Sequence, residues 1–302
     1  MTDSQLCSHV RVPISFRSRH RLLPLLLLLS CSLALRAQTD PTRIYGPLDR
    51  DVKTPRATGT FGQVDAAASA EVSGHKNVMG ASEWQGMTGT GQITYPNANA
   101  PVVEDATLTI LNTDNFRLDV TTAKGIQSTR INGTYGAFRN ADGKMRFFMP
   151  NTAMQGLVGF PLFLKSTFPN PATSIIDKGL VTVDGISLHR ITVERPINPA
   201  VPPPASMPMR EKLLQDVVTD YYFDPTTHLL HKSVATIQIP GSTSRLLECI
   251  TYGDYQRVQG AMIPFLYRKT LNGQLQWTLQ LNQVQLNPNQ PQSYFTFRNN
   301  SQ

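Results

Sequence analysis

The chain has little cysteine, with three residues in 302, and two of them, Cys7 and Cys31, lie within the first 37 residues. If those residues are removed as a leader, Cys249 is alone and no internal disulfide can form. Cys249 stands in the apolar stretch 246–250, a setting that raises the pKa of a thiol and makes it unreactive. We therefore expect Cys249 in a core that is stabilised by packing alone.

Catalytic and ligand-binding fingerprints are also missing. There is no G-x-S-x-G elbow, no P-loop and no dinucleotide motif. His228 and His231 fall on a predicted strand, where residues three apart point to opposite faces, so a shared metal is not expected. His75 and His189 stand alone in the sequence, and we expect them at the surface. The sequence predicts no catalytic residue, no cofactor and no metal.

One group of carboxylates keeps an enzymatic alternative open. Asp216, Asp220 and Asp224 recur at a spacing of four on a predicted strand, which places them on one face. Two carboxylates across a cleft are what glycoside hydrolysis requires. Because the alternate positions from Val217 to Phe223 are mostly apolar, we expect the aspartates on the solvent side. Whether Asp216 and Asp220 are buried or exposed therefore tests the hydrolase alternative.

Long hydrophobic runs are absent except near the N-terminus. A basic stretch, Arg17 to Arg21, precedes the 14 residues from Leu22 to Leu35, which are too few to span a bilayer, since a spanning helix needs about 20. Ala37 ends an acceptable cleavage site, so residues 1–37 are predicted to be a signal peptide. A retained membrane anchor and lipidation at Cys31 are the alternatives.

Positive charge is concentrated in the same leader. The whole chain has 28 basic and 21 acidic residues, and removal of residues 1–37 leaves 23 and 20, a net charge of +3 instead of +7. No run rich in Lys or Arg survives, so no nucleic-acid partner is expected. We expect an exported, periplasmic protein, peripheral to or lipid-anchored in the outer membrane.

The remaining chain divides into a tether and one β domain. Residues 38–64 are polar, rich in Pro, Gly and Thr, and without periodicity, which is typical of a flexible tether. Residues 65–302 are predicted to form a single domain, with a Pro-rich insertion at 195–208. Asp65 is expected to cap a short helix, and a second helical stretch is expected over residues 76–84.

The C-terminal part has the clearest strand pattern. From Leu275 to Leu281, apolar residues alternate with amides and hydroxyls, so one face of the strand is apolar. Asn272-Gly273 has the composition of a two-residue hairpin turn. The change of phase between Leu281 and Val284 predicts a β-bulge, which bends a sheet.

An apolar segment provides a cover for such a one-sided sheet. Met154 to Leu164 has almost no polar residue, no alternation of period two and a break at Pro161, which is typical of an apolar helix or lid. A loosely packed cover leaves room for an acyl chain. The predicted hydrophobic ligand site comprises Met154, Leu157, Val158, Phe160, Leu162, Trp277 and Leu279.

The order of residues near the C-terminus resembles a known family. A strand that begins Asp-Tyr is followed by V-x-G-x-x-x-P, a turn glycine, another strand and a final aromatic strand, at positions Asp254, Tyr255, Val258, Gly260, Pro264, Gly273 and Phe295. This pattern resembles the periplasmic outer-membrane lipoprotein-sorting superfamily of Lol carriers and receptors, in an exported bacterial branch. The resemblance covers about residues 65–297. It implies an unclosed, curved antiparallel half-barrel, mainly β (α+β), with short helices covering the concave face.

Two functions follow from these observations. The first is an exported protein that binds a lipid or the acyl chain of a lipoprotein in an apolar pocket between sheet and helices. The alternative is a non-catalytic structural or interaction protein of the cell envelope with a filled core. Its partner would be another cell-envelope protein, recognised by the tether and the Pro-rich loop. A monomer is expected in either case.

Overall fold

The structure is a computed structural model of the chain. It describes residues 52–55, 62–80, 84–97, 100–112, 115–133, 135–148, 153, 173–196, 216–238 and 245–297. Contacts divide the chain into residues 1–44 and Tyr45–Gln302, and every described residue belongs to the second unit. The Pro-rich loop 197–208 and the segment Met154–Leu164 lie outside the described residues.

The described chain consists of one α-helix, thirteen strands and a short 3-10 helix. Helix α1 spans Ala66–Met79, and the 3-10 helix spans Gln292–Phe295. The strands are β1 Gly86–Tyr95, β2 Val102–Leu111, β3 Asn115–Thr122, β4 Gly125–Asn132, β5 Tyr135–Arg139, β6 Met145–Phe147, β7 Ser174–Val183, β8 Ile186–Pro196, β9 Asp216–Phe223, β10 Leu230–Gln238, β11 Arg245–Val258, β12 Ala261–Leu271 and β13 Gln274–Leu286.

All thirteen strands form one unclosed, curved sheet in the order β6-β5-β4-β3-β2-β1-β13-β12-β11-β10-β9-β8-β7. Every neighbouring pair is antiparallel, and every pair except β1–β13 is consecutive in sequence. The sheet is therefore a meander in two halves, joined at its centre where β13 returns to β1. The predicted antiparallel sheet is confirmed, and of the predicted covering helices one complete α-helix lies among the described residues.

Turn chemistry explains how the strands meander. Asp184-Gly185 joins β7 to β8 and Asn272-Gly273 joins β12 to β13, and all four residues have positive φ, between 48° and 80°. Asn and Gly tolerate this left-handed region, and paired positive φ values match the twist of a two-residue hairpin. The turn at Asn272-Gly273 was expected from the sequence and is confirmed.

A β-bulge lies at the junction of the two halves. Thr90 pairs with Gln283 and Gly91 pairs with Leu281, so Asn282 is an extra residue on β13. This is the change of phase that the sequence shows between Leu281 and Val284, and the predicted bulge is confirmed. On either side of it, Met87, Ile93 and Leu279 keep their side chains in one buried layer.

Helix α1 is a single helix where the sequence suggested two short ones. It ends at Met79, and Gly80 follows in the left-handed conformation that ends many helices. Asp65 occupies the N-cap position, but its side chain does not bond the helix. Its carboxylate instead accepts hydrogen bonds from the Asp177 backbone N–H (2.9 Å) and the Gln63 side chain (3.0 Å). Asp65 thereby attaches the start of the helix to β7.

The sheet has two distinct faces. The inner face carries α1 and the main hydrophobic cluster, which includes Leu108, Leu118 and Tyr267. On β9, the neighbouring residues Tyr221 and Tyr222 point to opposite faces and are both buried. Cys249 of β11 is buried, as expected. Strand β9 is therefore covered on both faces, which departs from the one-sided sheet that the alternation predicts.

The last described residues, 288–297, lie on the outer face, and we call them the C-terminal strap. The strap lies across β3 and β4. Gln292 bonds Asn115 (2.9 Å), and the carbonyl oxygens of Tyr294 and Thr296 accept hydrogen bonds from Arg117 and Arg130. Phe295, within the strap, is buried although it lies outside the main cluster.

Candidate functional site

Two of the seven predicted ligand-site residues lie in the described part of the chain. Leu279 of β13 is fully buried on the inner face, where its Cα pairs with those of Ile93 and Tyr267. Trp277 lies two residues earlier on the same face, is partly buried and packs against the main cluster. The other five are Met154, Leu157, Val158, Phe160 and Leu162, and they fall outside the described residues.

Partly exposed apolar side chains surround Trp277 at one end of the inner face. Tyr95, at the end of β1, packs against the main cluster and is partly exposed. Val102, its partner on β2, is 40% exposed. Burial, helped by the negative charge of Glu104, raises the pKa of Tyr95 to about 12, so its hydroxyl stays neutral. We call Tyr95, Val102 and Trp277 the aromatic rim.

One ion pair lies beside this rim. Lys269 of β12 is the Cα partner of Trp277, and its Nζ contacts the carboxylate of Glu248 on β11. Glu248 is buried, and the Lys269 side chain is 25% exposed. The end of the inner face therefore combines an aromatic surface with one paired cation.

Helix α1 crosses the β7–β12 half of the inner face. Its first residue follows Asp65, which is bonded to β7, and its C-terminal Gly80 lies against Ala261 at the start of β12. Ala68, Val72 and Met79 bury its apolar side. Among the described elements, no helix lies on the β1–β6 half, although Leu108, Phe116 and Ile131 there are buried as well.

A polar cluster fixes α1 to the sheet. Glu71 of α1 is buried, and its two carboxylate oxygens accept hydrogen bonds from Nδ1 of His228 (2.9 Å) and Nδ1 of His189 (3.0 Å). Nε2 of His189 lies 2.7 Å from the Asp177 carboxylate. Because both partners of His189 are acceptors, both of its nitrogens donate, and the ring is held as a cation.

The pKa shifts in this cluster follow from its geometry. Burial lowers the pKa of His189, but the hydrogen bonds to Glu71 and Asp177 outweigh it and the net shift is upward. The pKa of Asp177 is lowered, since its bonds to Gly179 and His189 outweigh the opposing effect of burial. A charged His189 between two carboxylates thus stabilises the contact between α1 and β8.

His75 behaves in the opposite way. It is fully buried one turn along α1, and its Nδ1 donates to the carbonyl oxygen of His228 (2.8 Å). Nε2 has no hydrogen-bond partner within the described part of the chain, and the ring lies 5.2 Å from that of Phe223. Burial lowers the pKa of His75 to about 4, so the ring is neutral.

The histidines and aspartates that the sequence singled out lie differently from expectation. His75 and His189 belong to this cluster and not to the open surface, since His75 is buried and the side chain of His189 is 17% exposed. His228 lies in the turn after β9 with a φ of 57°, while His231 lies on β10. Within the described ranges, no three His, Cys, Asp or Glu side chains come close enough together to hold a metal ion.

Asp220 is also not on the solvent side. It is fully buried on the outer face, where it accepts hydrogen bonds from Arg190 and from the Thr192 hydroxyl (2.6 Å). Burial raises the pKa of Asp220, against the opposing effects of Arg190 and Thr192. Asp224 caps the turn to β10 through Thr226 and Thr227. The side chain of Asp216 lies outside the described set, and the expected row of exposed aspartates is wrong at Asp220.

Comparisons with known proteins identify similar structures but no similar sequence. No family model and no curated protein matches the chain. An outer membrane lipoprotein-sorting protein domain from Vibrio parahaemolyticus is similar in structure, with a TM-score of 0.48 and 9% identity over 76% of this chain and 97% of that one. A LolA superfamily protein from Nitrosomonas europaea has a TM-score of 0.47 and 11% identity over the same shares.

A third similar structure is a DUF1329 family protein from Desulfovibrio piger, with a TM-score of 0.39, 10% identity and coverage of 76% of this chain and 97% of that one. Two of these solved structures carry the names of lipoprotein-sorting and LolA superfamily proteins, the superfamily that the C-terminal residue order resembles. No helix in the described part of the chain is long and apolar enough to cross a membrane.

Proposed function

We propose that this is an exported protein that binds a hydrophobic ligand, a lipid or the acyl chain of a lipoprotein, on the inner face of the sheet. The observation that supports it is a mismatch in size. Thirteen strands spaced about 4.8 Å apart make a sheet about 58 Å wide, measured along its curve. The 14 residues of α1 form a rod about 21 Å long and about 10 Å wide. Most of the apolar inner face needs another cover.

The position of Ala153 indicates where that cover begins. Ala153 is fully buried, and a side chain added at Gly136 of β5 would lie 3.2 Å from its Cβ. The apolar segment Met154–Leu164 starts at the next residue. A chain that leaves the β1–β6 half at this point is well placed to cover it, with Met154, Leu157, Val158, Phe160 and Leu162 as the lining.

Acyl burial supplies the affinity in this proposal. Each methylene moved from water to an apolar site contributes about 0.8 kcal/mol, so even a ten-carbon chain gains several kcal/mol before the cost of ordering it. The aromatic rim is suited to the entrance, because Tyr95, Val102 and Trp277 are apolar and partly exposed. Leu279 would then line the interior beside Ile93.

Native mass spectrometry followed by lipid extraction tests this function. The mature protein, residues 38–302, is purified from a bacterial periplasm, and we expect an acyl species bound near one per chain. Leu157→Asp and Phe160→Asp should remove it. Leu180→Asp, at a position on β7 that is 66% exposed, is the matched control and should retain it.

Two results would reject the acyl-binding function. One is a mass that stays free of ligand after phospholipid and lipopeptide are added. The other is equal loss of ligand in Leu180→Asp, which would assign the effect to the added charge and not to a pocket. A cell-envelope interaction protein with a filled core would then be the better description.

A further inference from the structure

Three arginines meet on the outer face of the sheet. Arg117 of β3 and Arg130 of β4 are directly paired across the strands, and Arg139 of β5 pairs with Ser128, the next residue on that side of β4. Like charges directly opposite each other repel and are unfavourable on their own. The pKa of Arg130 is lowered, first by burial and then by Arg117, although guanidinium stays charged.

One carboxylate partly neutralises this cluster. Asp119 accepts a hydrogen bond from Nε of Arg117 (2.8 Å) and another from the Ser128 hydroxyl (2.6 Å). Within the described residues, no hydrogen bond or ion pair reaches the guanidinium of Arg139, whose contact is with the ring of Phe297 at 5.0 Å. Three guanidiniums and one carboxylate leave a local charge of about +2, which matches a phosphate group carrying one or two negative charges.

The C-terminal strap turns this cluster into a pocket. Arg117 stacks on the ring of Tyr294 (3.8 Å), and Arg130 stacks on the ring of Phe297 (4.4 Å). Nη1 of Arg117 donates a hydrogen bond to the carbonyl oxygen of Tyr294, and Nη1 of Arg130 donates one to that of Thr296. Together with Arg139 these residues line an open pocket of about 530 Å³, which is room for a headgroup. Among the described residues the hydrogen bonds of Arg130 involve Nε and Nη1, and none involves Nη2.

The surroundings of the pocket are apolar and exposed. On the same face, Tyr135 is 83% exposed, Phe147 is 65% exposed, and Ile126 and Met145 are 52% and 38% exposed. The register of β4, β5 and β6 places all four beside the arginines and not on the inner face. Cations flanked by exposed aromatic and aliphatic side chains are typical of surfaces that rest on a lipid bilayer.

We propose that the outer face of β3–β6 binds an anionic phospholipid surface, with the headgroup phosphate held by Arg117, Arg130 and Arg139. Tyr135, Met145 and Phe147 enter the interfacial region of the bilayer around it. This site is on the opposite face from the proposed acyl pocket and does not depend on it.

Vesicle flotation, paired with calorimetry of soluble phosphates, tests the site. Full-length mature protein is mixed with vesicles of phosphatidylcholine alone or with added phosphatidylglycerol, and is separately titrated with glycerol phosphate and inorganic phosphate. We expect binding to the phosphatidylglycerol vesicles, weakened about 10-fold by Arg139→Gln, because a charged hydrogen-bond partner is lost. Phe147→Ser should weaken vesicle binding and leave glycerol phosphate binding unchanged.

Arg146→Gln is the matched control. Arg146 is exposed on β6 and pairs with Phe138, which places it on the inner side of the same edge, so the change removes equal charge from the other face. It should alter vesicle affinity less than about 2-fold. Arg139→Lys, which keeps the charge but not the planar fork, serves if Arg139→Gln lowers the melting temperature.

The outcomes separate the sources of phosphate. Binding of glycerol phosphate without binding to either vesicle would overturn the membrane surface and leave a site for a soluble phosphate ester. No binding to vesicles or soluble phosphates would overturn the pocket itself. Equal losses in Arg139→Gln and Arg146→Gln would also overturn it, because they would show attraction to net charge alone.

Discussion

His75 of α1, which is buried, and His189 of β8, whose side chain is 17% exposed, titrate in opposite directions. His189 is held as a cation between Glu71 and Asp177, so its folded-state pKa is raised. Its contribution to stability is present below the unfolded pKa and is lost as the pH rises through the folded pKa. His75 is buried as a neutral ring with its pKa lowered to about 4. The buried neutral His75 therefore lowers the free energy of unfolding as the pH falls from about 6.5 toward 4.

Replacement of His75 by Asn isolates this effect. Asn does not titrate and retains a donor for the His228 carbonyl oxygen. In the unchanged protein, His75 should lower the free energy of unfolding by about 2 kcal/mol when the pH falls from 8 to 5. At pH 5 the His75 side chain is protonated in the unfolded chain but not in the folded chain. Urea midpoints at both pH values measure it. Between pH 8 and pH 5, the His75→Asn variant should lose about 2 kcal/mol less unfolding free energy than the unchanged protein does. An identical pH dependence in both proteins would contradict a neutral buried His75.

These roles could not be predicted from the sequence. Glu71 and His189 are 118 residues apart, and Glu71 and His228 are 157 apart, so no local spacing connects them. Asp220 was expected to be exposed because its strand alternates polar and apolar residues. Alternation shows which residues share a face, but not whether that face is covered. On β9 both faces are covered, and Arg190 supplies the charge that makes burial of Asp220 possible.

At the scale of elements, local signals were reliable. The alternation from Leu275 to Leu281 marked β13, and Asn272-Gly273 marked its hairpin, because these signals depend on neighbouring residues alone. The pairing of β1 with β13 joins residues about 190 positions apart. The sequence gives no sign of that pairing apart from the bulge, which shows that β13 bends somewhere.

Glycines at the bulge test how tightly the two halves of the sheet meet. A Cβ at Gly91 would lie 2.0 Å from the backbone oxygen of Gln280, whereas one at Gly89 would meet the end of the Leu281 side chain at 2.7 Å. Gly91→Ala should therefore lower the unfolding free energy by about 3 kcal/mol, since backbone must move. Gly89→Ala, the matched control, should cost about 1 kcal/mol, since a side chain can rotate away. Urea unfolding compares them, and a larger loss in Gly89→Ala would contradict this register.

At the scale of the whole molecule, the C-terminal residues have two separable roles. β13 fills the centre of the sheet between β1 and β12, and the strap covers the outer face of β3 and β4. A chain ending at Leu271 lacks both, so β1 and β12 lose their shared partner and present unpaired edges. A chain ending at Asn287 keeps the complete sheet but loses Phe295, which is 1% exposed. Comparing the two truncations therefore separates the effect of losing the central strand β13 from the effect of uncovering the outer face of β3 and β4.

We expect the chain ending at Leu271 to lose cooperative unfolding and to aggregate, because its twelve remaining strands cannot form one sheet without β13 between β1 and β12. The chain ending at Asn287 should keep its far-ultraviolet β signal and lose at least about 3 kcal/mol of stability, the cost of removing a buried phenylalanine. Phe295→Ala in the full chain should reproduce most of that loss. Circular dichroism during thermal unfolding measures all three, and a sharp transition near the full-length melting temperature for the chain ending at Leu271 would show that the two halves fold without their central strand.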